Sequence, residues 1–288
     1  MDILRKYLTN NDQVLVYIID ATNMIKTIRN LHALSNVATA ALGRSMMATE
    51  MMASMFKSEN QRITTTIKGD GKLGSIVVCA NGALEIKGYV TNPGIELPLN
   101  KNGKLDVAKA VGKGTLNIVK DIGLKEPFVG NCNLFTSEIA EDFAFYFYTS
   151  EQTPSVVSLG VLINKENEVE KACGYIISPL PNTDEETLDK LEKINADISS
   201  VTGLMLDLQN IDDVVKTITG DNNPKQIEQK TPKLKCDCSN HKIERVISII
   251  GKDEAIKHVE NFGEMEITCH FCNKVYNYSK EEIEKLFN

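Results

Sequence analysis

Cys236-Asp237-Cys238-Ser239 and, thirty residues on, Cys269-His270-Phe271-Cys272 hold four of the chain's seven cysteines, all within its last 53 residues. Two closely spaced thiol pairs near the end of an otherwise ordinary chain point to a four-thiolate zinc site. The first pair is C-x-C rather than the C-x-x-C of ordinary zinc knuckles, which points to redox chemistry as well as metal binding. The surrounding unit, residues 231–288, is small enough to be marginal on its own hydrophobic core and needs a staple. One zinc ion per chain on Cys236, Cys238, Cys269 and Cys272 would supply it. Such binding contributes on the order of 10–16 kcal/mol in small zinc modules, so the fold of this unit is expected to require the metal. His241, His258 and His270 could substitute as ligands but read as solvated residues, because four thiols already complete the shell.

Around the cysteines the unit has clear punctuation. Ser239 can cap a helix running to Ile250 and closed by Gly251, and Asp253 can start a second helix toward Asn261. Glu264 to Thr268 reads as a strand delivering Cys269, with Val275 to Tyr278 as its return. Ser279-Lys280-Glu281-Glu282 has the form of a capping box for a last helix with Ile283, Leu286 and Phe287 on its apolar face.

Upstream of this unit the composition changes. Asn182 to Lys230 holds eleven Asp/Glu and five Lys, and no Phe, Tyr or Trp occurs between Tyr175 and Phe262. Thr183 can cap a helix bearing Leu188, Leu191 and Ile194, with Glu186 three residues on and an acidic first turn that suits the helix dipole. A second short helix is expected over Asp212 to Thr219, ended by Gly220. Aromatic side chains bury the most area per residue, so helices without them rest on a few Leu, Ile and Val contacts. This stretch should be among the first to open. An acidic linker with two surface helices is the plainer reading of the same composition.

The remainder, residues 1–178, reads as an α+β domain. Strands are expected at Val14 to Asp20, Arg62 to Lys68, Phe143 to Thr149, Val156 to Asn164 and Val169 to Ile177. Ile76 to Val90 reads as a hairpin turning at Asn81-Gly82, which suits a type I′ turn. Ser35 to Lys57, rich in Ala and Met, reads as a long helix. It carries Met46, Met47, Met51, Met52 and Met55, with Met24 on a separate segment. Such a methionine set either fills a core or forms an adaptable surface for varied apolar partners. The expected architecture is therefore α+β, with a large N-terminal domain of mainly antiparallel sheets (1–178), a weakly packed helical acidic linker (179–230) and a small C-terminal α+β zinc-binding domain (231–288).

Composition narrows the function classes. The 288 residues are 42% hydrophobic and 25% charged, as in a soluble globular protein, and the longest apolar runs have strand length. Met1-Asp2-Ile3-Leu4-Arg5-Lys6 leads into no secretory h-region, and an odd number of cysteines without framework spacing fits a reducing cytoplasm. A net charge of −7 disfavours broad affinity for nucleic acid or anionic membranes.

The same residues resemble the cytosolic redox-regulated holdase chaperones, the bacterial 33 kDa heat shock protein (33 kDa chaperonin) family. The C-terminal blocks that carry the resemblance are Cys236-Asp237-Cys238-Ser239, Ile249-Ile250-Gly251-Lys252-Asp253-Glu254, Glu266 to Lys274, and Tyr276. The N-terminal ones are Ala40 to Arg44, Lys68 to Gly74, Lys87 to Val90, Val111 to Gly114, Tyr148 to Ser155, and Cys173 to Pro181. One departure is Asn240-His241-Lys242, where the family commonly has a charged run including an acidic residue. The resemblance implies an ATP-independent chaperone, not an enzyme, that is zinc-bound and inactive when reduced. Oxidation would form Cys236–Cys238 and Cys269–Cys272 disulfides, release zinc, unfold the module and linker, and promote homodimerisation. The active form would hold unfolding client proteins and pass them to ATP-dependent folding chaperones. Cys79, Cys132 and Cys173 lie outside the motif and read as small buried hydrophobes.

Two other classes compete. A zinc-ribbon nucleic-acid binder is disfavoured because residues 233–288 hold nine Lys/Arg against ten Asp/Glu, with no basic stripe. A thiol-disulfide oxidoreductase would need its C-x-x-C to open a helix after a βαβ strand, whereas Cys269 follows a short strand in a zinc module.

Overall fold

The computed structural model describes residues 1–287, which form two compact units, Met1–Leu234 and the chain from Lys235 onward. By packing, residues 179–230 belong to the first unit. Among the described residues no helix is long and apolar enough to cross a membrane.

The first unit begins with β1 (Ile3–Thr9), β2 (Val14–Asp20), α1 (Thr22–His32) and α2 (Asn36–Ala53). There follow β3 (Arg62–Gly69), β4 (Ser75–Asn81), β5 (Glu85–Val90), α3 (Val107–Val111), β6 (Gly114–Asp121) and β7 (Phe128–Asn133). Then come α4 (Ala140–Thr149), β8 (Val156–Ile163) and β9 (Val169–Pro179). It ends with α5 (Glu185–Ala196), α6 (Val201–Leu208), α7 (Ile211–Thr219), β10 (Lys225–Lys230) and β11 (Lys233–Leu234). The second unit has α8 (Asn240–Ile250), α9 (Lys252–Phe262), β12 (Met265–Thr268), β13 (Val275–Tyr278) and α10 (Lys280–Leu286).

Two sheets build the first unit. Sheet A has the order β10-β1-β2-β9-β8, all antiparallel. Sheet B has the order β11-β5-β4-β3-β6-β7, antiparallel except for the short parallel β11. The strands of sheet B alternate between buried and half-buried residues, the period-2 pattern of a sheet with one face on the core.

Between the sheets runs α2, which touches β2, β8 and β9 of sheet A as well as β3, β4 and β5 of sheet B. Ser35 caps it by accepting from the Ala38 N–H. Sixteen of its eighteen residues are buried, all apolar or small except Thr39, Ser45, Thr49 and Glu50; Ala lets both sheets come close while Met fills the uneven gaps. Met46, Met47, Met51 and Met52 are fully buried and Met55 packs against them, which decides the methionine question in favour of a core.

Three local expectations are corrected. Phe143 to Thr149 is not a strand but the body of α4. The buried Asp142 carboxylate accepts from the N–H groups of Phe135, Thr136, Ser137 and Ile139, fixing the loop that starts this helix. The β4–β5 hairpin does not turn as type I′: the residue with positive φ is Leu84, at 57°. Gly82 is required for space instead, since a Cβ there would lie 2.1 Å from the Ser58 carbonyl oxygen. Finally, Asp184 rather than Thr183 caps α5, accepting from the Thr187 N–H at 2.7 Å, while the Thr183 hydroxyl bonds to the Gln13 and Leu180 carbonyls.

The other face of sheet A carries α5, α6 and α7. Tyr7, Val14, Val16, Ile18, Tyr175 and Ile177 point up from the strands, and Leu191, Val201, Met205, Val214, Val215 and Ile218 point down from the helices. Two tyrosines add polar ties: the Tyr175 hydroxyl bonds to Asn195 Oδ1 at 2.9 Å and the Tyr7 hydroxyl donates to Asp212. Burial, with Asp212 beside it, pushes the Tyr7 phenol up to about 12, so the hydroxyl stays a donor at neutral pH. Of α5 itself only Leu191 is buried.

Candidate metal centre

The second unit places its four cysteines by ordinary local devices. Cys238 directly precedes Ser239, whose hydroxyl accepts from the Lys242 N–H and so begins α8. Cys236 lies two residues earlier in the irregular lead-in, and the Asp237 carboxylate between them is ion-paired to Lys242. On the other side β12 and β13 pair in register from Met265↔Tyr278 to Thr268↔Val275, so the residues between them form the tip of a hairpin. There the Cys269 N–H donates to the Lys274 carbonyl at 2.9 Å, and the Cys272 and Asn273 N–H groups both donate to the Cys269 carbonyl. Asn273 closes the tip with φ at 57°, a conformation its short polar side chain tolerates.

These devices bring all four sulfurs within 4.8 Å of one another. Cys236 Sγ lies 3.7 Å from Cys269 Sγ, and Cys238 Sγ lies 3.4 Å from Cys272 Sγ. In a tetrahedral site with metal–sulfur bonds of about 2.3 Å the sulfurs stand about 3.8 Å apart, so the donor set and its spacing fit a metal of that preference. Each of the four thiols is half-buried. His241, His258 and His270 take no part in the cluster; His241 is 81% exposed on α8, and His258 packs its ring on Phe262.

The thiols are not equivalent. Burial, reinforced by hydrogen bonds to the neighbouring thiols, pushes Cys236 up to about 12, and burial likewise raises Cys272. At Cys238 burial acts in the same direction but is outweighed by hydrogen bonds, first from Tyr276, and the thiol comes down to about 7. The Tyr276 hydroxyl lies 3.1 Å from Cys238 Sγ, and that bond raises its own pKa. The role of Tyr276 as a sulfur donor is not legible from spacing. Its alternation with Tyr278 along β13 places both on the inner face, but only the fold brings Tyr276 to Cys238.

The cluster sits on a core of eight buried side chains, among them Ile243, Ile247, Val259, Tyr276 and Ile283, with Cys238 and Cys269 packed against it. Of the other cysteines, Cys132 and Cys173 are buried with thiols pushed up to about 11 and 12 by desolvation, which makes them inert. Cys79, expected to be buried like them, is instead half-buried, 3.6 Å from the Thr64 hydroxyl.

The family model described as "Hsp33 protein" matches residues 2–279. A "33 kDa chaperonin" of Caldanaerobacter subterraneus subsp. tengcongensis is 43% identical over 286 residues, covering 99% of this chain and 97% of that one. A second, from Alkaliphilus oremlandii, is 43% identical over 277 residues, covering 96% and 93%. Among solved structures, the crystal structure of the 33 kDa chaperonin (heat shock protein 33 homologue) of Thermotoga maritima superposes with a TM-score of 0.92 at 34% identity, covering 99% of this chain and 97% of that one.

Proposed function

The chain belongs to the Hsp33 protein family, and from that premise we propose that it is a redox-regulated, ATP-independent holdase, a chaperone and not an enzyme. The carrying observation is the four-sulfur cluster packed against a small core, in a chain whose sheet A also bears a one-sided helix layer. In this reading residues 1–178 bind clients and dimerise, 179–230 form the releasable linker, and 231–288 form the redox switch.

Cys236, Cys238, Cys269 and Cys272 would hold one zinc ion, which supplies a cross-link between the α8 lead-in and the β12–β13 tip. The chain's own chemistry is thiol oxidation. Two thiols give up two electrons and two protons to one peroxide, forming one disulfide and two waters; two such steps convert all four sulfurs. The Cys236–Cys238 and Cys269–Cys272 pairing rests on the family resemblance, because proximity does not select among four sulfurs this close together. A Cys236–Cys238 disulfide closes a cramped ring, so that pair forms late, once local structure has loosened. Once the sulfurs are paired among themselves, eight buried side chains are too few to hold this unit alone, and it unfolds. Release of the linker then bares the apolar outer face of sheet A to unfolding client proteins. The linker's acidity keeps the opened segment soluble. Homodimerisation on oxidation, transfer of clients to ATP-dependent chaperones and a cytoplasmic location complete the reading; nucleic acid and membrane have no part in it.

Light scattering of a heat-aggregating client tests the switch. The reduced protein should suppress aggregation poorly and the peroxide-treated protein well; equal suppression by both would remove the switch from the account.

A further inference from the structure

Tyr276 stands opposite Ile267 in the β12–β13 pair, with its ring among the eight buried side chains of the second unit. The Lys274 ammonium lies over that ring, 4.7 Å from its centroid. A ring held this way has little freedom, so its hydroxyl is fixed in place, 3.1 Å from Cys238 Sγ. Among the described residues it is the one hydroxyl bonded to a sulfur of the cluster. Cys236 and Cys272 are met instead by the backbone N–H groups of Cys238 and Lys274. Tyr278, two residues on and on the same face, directs its hydroxyl to the Asn240 carbonyl.

The Tyr276–Cys238 bond joins two separate stretches of the unit. Cys238 belongs to the lead-in of α8, whereas Tyr276 belongs to the hairpin whose tip carries Cys269 and Cys272. A sulfur attacks peroxide through a lone pair, and an O–H donor occupies one such pair and withdraws charge from it. In a metal-loaded site all four sulfurs are thiolates, so the ionised fraction no longer ranks them and intrinsic nucleophilicity does. A thiolate that accepts a hydrogen bond is the weaker nucleophile, because nucleophilicity falls with basicity.

We infer that Tyr276 is a positioning residue for the oxidation: its hydroxyl shields Cys238 until the hairpin tip has been oxidised. The inference rests on the redox-switch reading and deepens it by naming the group that keeps the Cys236–Cys238 pair last. A Cys269–Cys272 disulfide draws the two tip sulfurs to bonding distance and out of the cluster, so the tip rearranges. Tyr276 moves with the strand that leaves the tip, and its hydroxyl parts from Cys238. The freed thiolate then attacks a peroxide oxygen, breaking the O–O bond and giving a sulfenic acid and hydroxide. The Cys236 thiolate displaces a second hydroxide from that sulfur, closing the disulfide, and two protons convert both hydroxides to water. The two oxidations thereby run in sequence rather than independently.

The test uses the full chain with Tyr276→Phe, which keeps the ring and deletes the donor, and Tyr278→Phe as the control. Cobalt(II) in place of zinc reports the bond directly. Its sulfur-to-metal charge-transfer band should move to longer wavelength in Tyr276→Phe and stay in place in Tyr278→Phe. Zinc-loaded protein is then treated with limiting peroxide, alkylated and mapped by peptide mass spectrometry. In the unsubstituted protein Cys269–Cys272 should precede Cys236–Cys238. Tyr276→Phe should form Cys236–Cys238 about three- to tenfold faster, as loss of one hydrogen bond to a charged sulfur requires. Tyr276→3-fluorotyrosine, a stronger donor of nearly the same shape, should slow that step. Were Tyr276→Phe to misfold, the sign of the fluorotyrosine effect alone decides the question. An unmoved cobalt band, an unchanged rate, or equal effects of the two Phe variants would overturn the inference. Acceleration by 3-fluorotyrosine as well would assign the effect to packing and overturn it too. Failure of the oxidised protein to suppress client aggregation would instead refute the holdase reading, and is read out separately.

Discussion

Sheet A carries a helical layer on each face, and the two layers are held by different means. On the inner face α2 is enclosed by both sheets, with sixteen of eighteen residues buried and methionines filling its surroundings. On the outer face α5 to α7 lie with one side in solvent; α5 buries only Leu191, the helices contain no aromatic residue, and the first turns of α5 and α7 are acidic. A helix enclosed on all sides leaves only when the domain unfolds. A one-sided layer can leave while the sheet beneath it stays paired, and such sub-global opening is the basis of many switches. The molecule thus separates a permanent core from a removable cover across the thickness of a single sheet.

The largest expected effect concerns the second unit. Stripping metal from the reduced protein with a chelator should remove on the order of 10–16 kcal/mol from residues 235 onward. Circular dichroism should then lose the helical signal of α8, α9 and α10, while amide exchange in α2 stays slow. Retention of those helices would mean the thiol cluster is not their staple.

Next is a weak point inside the permanent core. Glu50 on α2 is fully buried, neither carboxyl oxygen has a hydrogen-bond partner, and desolvation raises its pKa from 4.5 to about 8. The folded state therefore binds a proton that the unfolded state has released, so stability is greatest below about pH 4.5, falls as pH rises, and levels off above about 8. Glu50→Met should add on the order of 3 kcal/mol at pH 7 and flatten that slope, as measured by denaturant titration at several pH values. An unchanged slope would show that Glu50 is solvated or paired.

Smaller still, Leu191→Ala should cost the outer layer about 2 kcal/mol and speed exchange in α5 and α7 by roughly 30-fold, leaving α2 untouched. Equal acceleration in α2 would erase the distinction between the layers. Least of all, Ser279→Ala removes the capping box in which Ser279 and Glu282 satisfy each other's backbone N–H groups. It should cost about 1 kcal/mol in the metal-loaded second unit, by thermal melting.

How much of this was legible in the chain depends on whether the signal was local. The thiol cluster was, because spacing and chemistry coincide in Cys236, Cys238, Cys269 and Cys272; so were the Ser239 and Ser279 caps and the helix around the Ala/Met run. α4 was not, since six apolar residues suit a strand or a helix equally, and its start is fixed by Asp142 reaching back to a loop. β10 escaped notice because Lys-Gln-Ile-Glu-Gln-Lys shows no alternation; it is a strand only through its pairing with β1. α6 likewise gave no signal beyond Ser200, which caps it. The Tyr276–Cys238 contact exists only once distant segments are folded together.

The most direct test of the account is residue-resolved hydrogen exchange on the full chain before and after peroxide. The account predicts that protection is lost from residues 235 onward and across α5 to α7, while α2 and the β2–β9 pairing remain protected and suppression of client aggregation switches on. Suppression that appears with α5 to α7 still protected, or only when α2 opens as well, would contradict it.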